Sequence, residues 1–193
     1  AIEFNYQKMF GGVFFSTQTY YRKSKDSFTQ TFSTDSTGKL NIIFNNYGNS
    51  DVYGAELSSS FSVAEIFRFD PSVNLFQTHL DGLVDGKSIV KDFFNWSARM
   101  NATVNLSADS RFMISGNYMK FVDAQSESEP FMQVSASLRQ EFFNKAISLT
   151  LQARNLFKAS DMKFTTTGSN FNGKAFIRPE SPVFSLMFSY NFN

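Results

Sequence analysis

The sequence predicts an all-β fold: about nine antiparallel strands in a meander, a segment of the wall of a transmembrane β-barrel. Three observations lead there. Between Phe94 and Leu106 every second residue is apolar without exception, with Phe94, Trp96, Ala98, Met100, Ala102, Val104 and Leu106 on one side and Asn95, Ser97, Arg99, Asn101, Thr103 and Asn105 on the other. Only a strand, with its side-chain period of two, separates those sets; a helix scatters them round its surface. The run holds for 13 residues, against about 5–6 in an ordinary soluble strand. At ~3.3 Å per residue and a tilt near 40° it covers an apolar band ~25–30 Å tall, the thickness of a bilayer's hydrocarbon. The second observation is 25 Phe among 193 residues with a mean hydropathy of only −0.24, which suits a greasy outside around a wet inside. The third is the alternation of short and long connections down the chain, as in barrels with tight turns at one rim and larger loops at the other.

The strands follow in order. The first, near 1–8, puts Ile2, Phe4 and Tyr6 outward and Glu3, Asn5 and Gln7 inward, and Gly11-Gly12 turns the chain. The second runs from Val13 to about Phe32 and loses its pattern beyond Arg22. The third, about 40–63, opposes Tyr53, Ala55, Leu57 and Phe61 to Gly54, Glu56, Ser58 and Ser60, with a bulge expected at Gly48. The fourth, about 69–80, is the weakest, because Pro71 cannot donate to a ladder and fits best near a strand end. The fifth is the run at 94–106. The sixth, about 111–122, sets Phe112, Ile114 and Tyr118 against Ser115 and Asn117; the seventh, about 131–143, sets Met132, Val134 and Leu138 against Gln133, Ser135 and Arg139. The eighth, about 146–157, opposes Ile147, Leu149 and Leu151 to Ser148, Thr150 and Gln152, and the last, 182–193, opposes Phe184, Leu186, Phe188, Tyr190 and Phe192 to Ser185, Met187 and Ser189. Connections near 9–12, 64–68, 107–110 and 143–146 are short; those near 33–39, 81–92, 123–130 and 158–181 are mostly longer and richer in Gly, Asp, Ser and Lys.

Composition removes several function classes. No apolar stretch reaches the ~18 residues of a membrane helix. A net charge of +1 without a Lys/Arg cluster gives no footprint for nucleic acid. Zero Cys leaves no disulfide scaffold and no thiolate chemistry. The single His79 stands near Asp81 and Asp85 with nothing beyond proximity to suggest a triad, so no enzyme is expected. Neither cofactor nor metal is expected: Asp81-Gly82 and Asp85-Gly86 read as turns, since the spaced acidic ligands of a calcium loop are missing. The chain starts at Ala1 in a strand-like pattern, so a piece of a longer protein is expected.

Several segments together resemble a known family. Gln18-Thr19-Tyr20-Tyr21-Arg22, the run from Asn45-Asn46-Tyr47-Gly48-Asn49 to Leu57, Gln152-Ala153-Arg154-Asn155-Leu156-Phe157, and the closing Ser181 to Asn193 are similar, in order, to the C-terminal barrel of TonB-dependent outer-membrane receptors, the Bacteroidetes-type branch in particular. The resemblance implies the outer membrane of a Gram-negative bacterium and a complete barrel of about 22 strands around an N-terminal plug. It implies an importer energised through TonB, of which this chain supplies the last nine or so strands. A barrel without energy coupling, acting as scaffold or adhesin in a surface complex, is the alternative.

Expected partners are outer-membrane lipid, the remaining strands and plug of the parent protein, TonB through the missing part, the barrel insertion machinery and a surface lipoprotein. The inward charges Glu56, Arg99, Arg139, Glu141 and Arg154, with Glu3, are the candidates for lining the lumen or touching a plug; Arg139 and Arg154 lie on neighbouring strands. Phe188, Tyr190 and Phe192 are the candidates for an insertion signal, and Phe164, Phe171, Phe176 and Arg178 for ligand contact from the long final loop.

Overall fold

The computed structural model describes residues 1–46, 48–84, 87–168 and 171–192. Tyr47 of the tyrosine-glycine run, the expected turn at Asp85-Gly86 and the terminal Asn193 lie outside the described residues. The strands are β1 (Ile2–Phe10), β2 (Val13–Ser24), β3 (Phe28–Thr34), β4 (Leu40–Asn46), β5 (Gly48–Val63), β6 (Phe67–Val84) and β7 (Lys87–Asn105). They continue as β8 (Ser110–Lys120), β9 (Ser126–Ser128), β10 (Phe131–Phe142), β11 (Ile147–Arg154), β12 (Met162–Thr167), β13 (Asn172–Ile177) and β14 (Val183–Tyr190). Nine of them form one antiparallel sheet in the order β1-β2-β5-β6-β7-β8-β10-β11-β14. A three-stranded sheet β13-β12-β9 and the hairpin β3-β4 stand apart from it. The sheet is open, with β1 and β14 at its two edges.

Register makes the alternation continuous across strands. Tyr6, Thr17, Leu57, Val73, Ala98, Tyr118 and Met132 are successive cross-strand neighbours in one row. One residue along lies the row Gln7, Ser16, Ser58, Ser72, Arg99, Asn117 and Gln133. A one-residue slip at any pairing would exchange the two faces of that strand, so the hydrophobic pattern fixes every register at once. The apolar face is bare: Leu186 is 71% exposed, Phe184 66%, Phe188 64% and Leu151 49%. Trp96 is half-buried, and Tyr118 meets it edge-on with ring centroids 5.0 Å apart. In water such a surface is unfavourable by about 25 cal/mol per Å²; against lipid it is at rest.

Both ends of the band are marked. At the long-loop end Tyr21 stacks on Tyr53 with centroids 6.4 Å apart, and the next row on that face is Lys23, Asp51, His79 and Asp92. At the short-turn end Phe61 stacks on Phe69 at 5.3 Å and Tyr190 meets Phe192 at 4.5 Å. Between Phe94 and Val104 along β7 the band rises about 25 Å at a tilt near 40°.

The nine expected strands are the nine of the sheet, with four corrections. The second and third end early, at Ser24 and Gly48, and their outer halves become the separate hairpin β3-β4. Asp26 (φ 55°) and Gly48 (φ 111°) make the break, and a Cβ on Gly48 would sit 2.5 Å from the Asp81 carbonyl oxygen. The fourth strand is one of the longest, and Pro71 lies well inside it with its β7 pairing to Met100 intact. The eighth stops at Arg154, because Asn155 turns into the left-handed region at φ 55°. Segments 81–92, 123–130 and 158–181 are not plain loops: the first is strand up to Val84 and from Lys87, the second holds β9, and the third holds the hairpin β12-β13.

The edges set a firm expectation. Roughly every second residue of an edge strand points its N–H and C=O away from the sheet, and each such group left bare in lipid costs several kcal/mol. Residues 1–193 expressed alone should therefore not yield a sealed, stable monomer. Heat-resistant, compact migration of that product in detergent, with protease resistance at β1 and β14, would refute this.

Candidate functional site

The site is the polar face and the loops folded over its long-loop end. Among the described residues the buried apolar side chains are Tyr20, Leu80, Val122 and Phe131, all at that end. Leu80 packs with Ile89, Phe93 and Ala124, bringing the connection after β8 back across β6 and β7. Asn95, 4% exposed, holds it there: its Nδ2 donates to the Val122 carbonyl at 2.8 Å and its Oδ1 accepts from the Val122 N–H at 2.6 Å. Asn95 alternates with the outward Phe94 and Trp96, so this loop lies on the polar side. Lys91 Nζ donates to the carbonyls of Asp123 (3.3 Å) and Ala124 (2.9 Å).

Gln125 ties in a second connection. Its Oε1 accepts from the Phe32 N–H and its Nε2 donates to the Phe32 carbonyl, both at 2.9 Å, so one side chain extends the β3 ladder from 93 residues away. The third connection joins through β9-β12 pairing, with a 2.8 Å bond from the Thr167 N–H to the Gln125 carbonyl. Thr31, Ser128 and Ser160 are each 1% exposed within this assembly. At the outer tip Asp35 accepts from the Thr37 N–H, the Thr37 hydroxyl and the Lys39 N–H. These bonds, the Thr37 hydroxyl's first, hold its carboxyl below the usual aspartate range.

Beneath the loops lies a shelf and then a pocket. Tyr20 lies against Gly54, where a Cβ would come within 2.5 Å of its ring, and the Arg22 guanidinium sits 4.4 Å from the ring centroid. Below it an open pocket of about 290 Å³ is lined by Gln18, Glu56, Ser72, Asn74, Ser97 and Arg99, among others. Glu56 and Arg99 flank it from strands β5 and β7, one strand apart across Asn74 and Ser72 and so roughly 10 Å between backbones. The buried Asn74 Oδ1 has no hydrogen-bond donor. A carboxylate, a guanidinium and free amide capacity facing one space suit a polar guest or a protein segment.

The other candidates are spread out. Arg139 is bound to Glu141 (Nη2 to Oε1, 2.9 Å), opposite Arg111, in a second open pocket of about 250 Å³ at the short-turn end with Asp109. Arg154 shares that face, but it lies four residues along β11 from Thr150, the cross-strand neighbour of Arg139, or ~13 Å. Glu3 pairs with Arg22 at 3.1 Å. Phe164 and Phe176 fall on opposite faces of the β12-β13 hairpin, because Phe164 faces Ala175 while Phe176 faces Lys163. Phe176 carries Arg178 over its ring at 4.8 Å, and Arg178 bonds Asp161 at 3.2 Å; Phe171 is half-buried beside Gly168. The loop set therefore does not converge on one ligand. Phe188, Tyr190 and Phe192 all point to the apolar side or lie past its end. His79 bonds Asp92 at 2.8 Å on the rim of the apolar face, away from the pocket. Among the described residues no three His, Asp or Glu side chains gather as a metal site.

Residues 1–190 match the profile of the outer membrane protein beta-barrel family. The chain belongs to that family. Its place is the outer membrane of a Gram-negative bacterium. None of the curated proteins matches the sequence. Among solved structures, the chain is similar to the toluene transporter TodX of Pseudomonas putida at 11% identity and a TM-score of 0.45, covering 99% of this chain and 64% of that one. It is likewise similar to the toluene transporter TbuX of Ralstonia pickettii at 13% identity and a TM-score of 0.45, covering 99% and 65%. The chain thus spans less than two thirds of the length of either.

In this barrel wall the residues that hold the loops, Asn95 and Gln125, carry no signal in the sequence that distinguishes them from other inward polar residues. Their partners are backbone groups, which leave no trace in residue identity. Replacing Asn95 with Ala strips the Val122 N–H and C=O of their bonds, at about 1–3 kcal/mol for each group left buried. Hydrogen exchange at 121–128 in the intact protein should accelerate while the β7 and β8 wall amides keep their protection.

Proposed function

We propose that the chain is the wall of a plugged outer-membrane importer. The observation that carries the reading is a polar face with a pocket lined by polar side chains, overlaid at its outer end by hydrogen-bonded loops, in a sheet open at both lateral edges. Further strands of a parent protein complete the wall, and its plug packs on the polar face. Glu56, Arg99, Arg139, Glu141 and Arg154 are the groups that meet it, Glu56 and Arg99 first because they front the pocket. The likeness of Gln152 to Phe157 and of the closing strand to TonB-dependent receptors supports energisation through TonB. Lipid bathes the apolar face, the insertion machinery reads Phe188, Tyr190 and Phe192, and no catalytic step is assigned to His79.

One observation favours a scaffold or adhesin instead. The β3-β4 hairpin shows Phe28, Leu40, Ile42 and Phe44 on one exposed face, with Phe28 and Phe44 stacked at 5.5 Å, beyond the bilayer rim. Such a surface suits a partner protein such as a surface lipoprotein.

The two readings part on energy coupling. The intact protein, purified from outer membranes, should bind the periplasmic domain of TonB; failure to bind removes the energised importer and leaves the scaffold. Plug grip has its own readout. The double change Arg139→Gln and Arg154→Gln in the intact protein should sensitise cells to large antibiotics that a sealed outer membrane excludes, and unchanged sensitivity speaks against it. Deleting residues 190–193 should leave the protein unassembled in the periplasm, and normal surface exposure of the truncated chain would remove the insertion role.

A further inference from the structure

One ladder in the wall is interrupted. β5 and β6 pair at Ser58–Ser72 and again at Phe61–Phe69, leaving Ser59 and Ser60 unpaired with Asp70 and Pro71 between. The flanking ladders are whole over the same residues: Phe14 and Phe15 pair with Ser60 and Ser59, and Met100 and Asn101 pair with Pro71 and Asp70. Pro71 has no N–H to give. The break falls on its β5 side, midway along the membrane-facing part of β6. The Ser59 hydroxyl, on the lipid side, turns back to donate to the Phe14 carbonyl at 2.9 Å.

A hollow on the apolar face reaches the break through Ser59 and Pro71, and one on the polar face stops beside it at the paired Ser58 and Ser72. On the apolar face a slot of about 150 Å³ is walled by Phe15, Leu57, Pro71 and Val73, with Ser59. On the polar face is the pocket of Glu56, Asn74 and Arg99. Both are lined by Leu57, Ser58, Ser72 and Val73, the last paired residues above the break, so one strand's thickness separates them. The outer hollow offers hydrocarbon contact and the inner one offers Arg99 and the unpartnered Asn74 Oδ1.

We propose that this seam is a lateral site for an amphiphile with an alkyl chain and a small polar head, entering from the bilayer. The chain lies in the outer slot, and a hydroxyl-type head donates to the Asn74 Oδ1 and accepts from Arg99 on the inner side. A solute of this kind can leave or enter the lumen sideways without crossing the loops. The inference stands on the membrane-spanning wall alone and holds whether or not TonB drives import.

The test uses the intact protein in phospholipid vesicles containing a long-chain alcohol with a diazirine along its chain, photolysed and mapped by peptide mass spectrometry. Adducts are expected on the apolar face generally, and on the polar face at Ser60, Asp70 and Ser72. Ser115 and Ser135, paired with each other on an unbroken ladder in the same inner row, should stay severalfold less labelled. Equal labelling at those two positions, or none at Ser60 and Ser72, overturns the proposal. Pro71→Val, which restores a donor, should cut the inner-face labelling severalfold, and unchanged labelling in the assembled variant overturns it. Should that variant fail to assemble, Ser60→Cys with Asp70→Cys places a cross-link over the break in a chain with no other Cys. Oxidation should then abolish labelling at Ser72 and reduction restore it; labelling indifferent to the cross-link sinks the idea.

Discussion

A backbone group in hydrocarbon finds no water, so it must find another backbone. That constraint governs this molecule more than any side-chain contact. It forces strands long enough to cross the bilayer, such as the 18 residues of β6 and 19 of β7, and it joins them edge to edge over nine strands. Once the ladder is fixed, the side chains have only to match two solvents. Ser, Thr, Asn and Gln on one side and Phe, Leu, Val and Ala on the other suffice, without interlocking shapes. The wall therefore has almost no core of its own.

A core does exist where lipid ends. Past the row of Lys23, Asp51, His79 and Asp92 the chain is in water and must bury something to stay ordered. It uses few apolar groups, chiefly Leu80, Phe93 and Val122, and many satisfied polar ones. Asn95 and Gln125 each bond both the N–H and the C=O of a distant residue, and so replace a strand neighbour with a side chain. The loops are consequently spread over the polar face rather than free above it. Anything that approaches the pocket of Glu56 and Arg99 from outside meets this layer first.

The wall was legible in the sequence because its rule is local. Trp96 outside and Asn95 inside follow from their neighbours alone, and the nine strands of the sheet could be drawn from parity. What parity cannot show is where a strand leaves the sheet. The pattern fails after Arg22 because Asp26 and Gly48 release a hairpin, yet the hairpin's own partner, Gln125, is remote. From sequence Pro71 marks a strand's end, because it cannot donate to a ladder; in the structure only the β5 side of its ladder is interrupted and the β7 side is paired. Arg139 and Arg154 do lie on neighbouring strands, as the sequence indicates, but strand adjacency says nothing of position along the strand, and four residues set them apart.

The odd number of strands constrains what completes the wall. In an antiparallel meander of nine, β1 and β14 run the same way. Direct closure, or docking of a second copy in the same membrane orientation, sets parallel strands side by side, against the antiparallel pattern of even-stranded outer-membrane barrels. An insert with an odd number of strands restores antiparallel pairing at both junctions. Its first and last strands must run opposite to β1 and β14, with apolar residues in register with Ile2, Phe4 and Tyr6 on one side and Phe184, Leu186 and Phe188 on the other. Homo-oligomerisation through these edges is thereby disfavoured by direction alone, before any side chain is considered. In the importer reading proposed above, the strands that complete the wall are therefore different from these nine in number and in sequence.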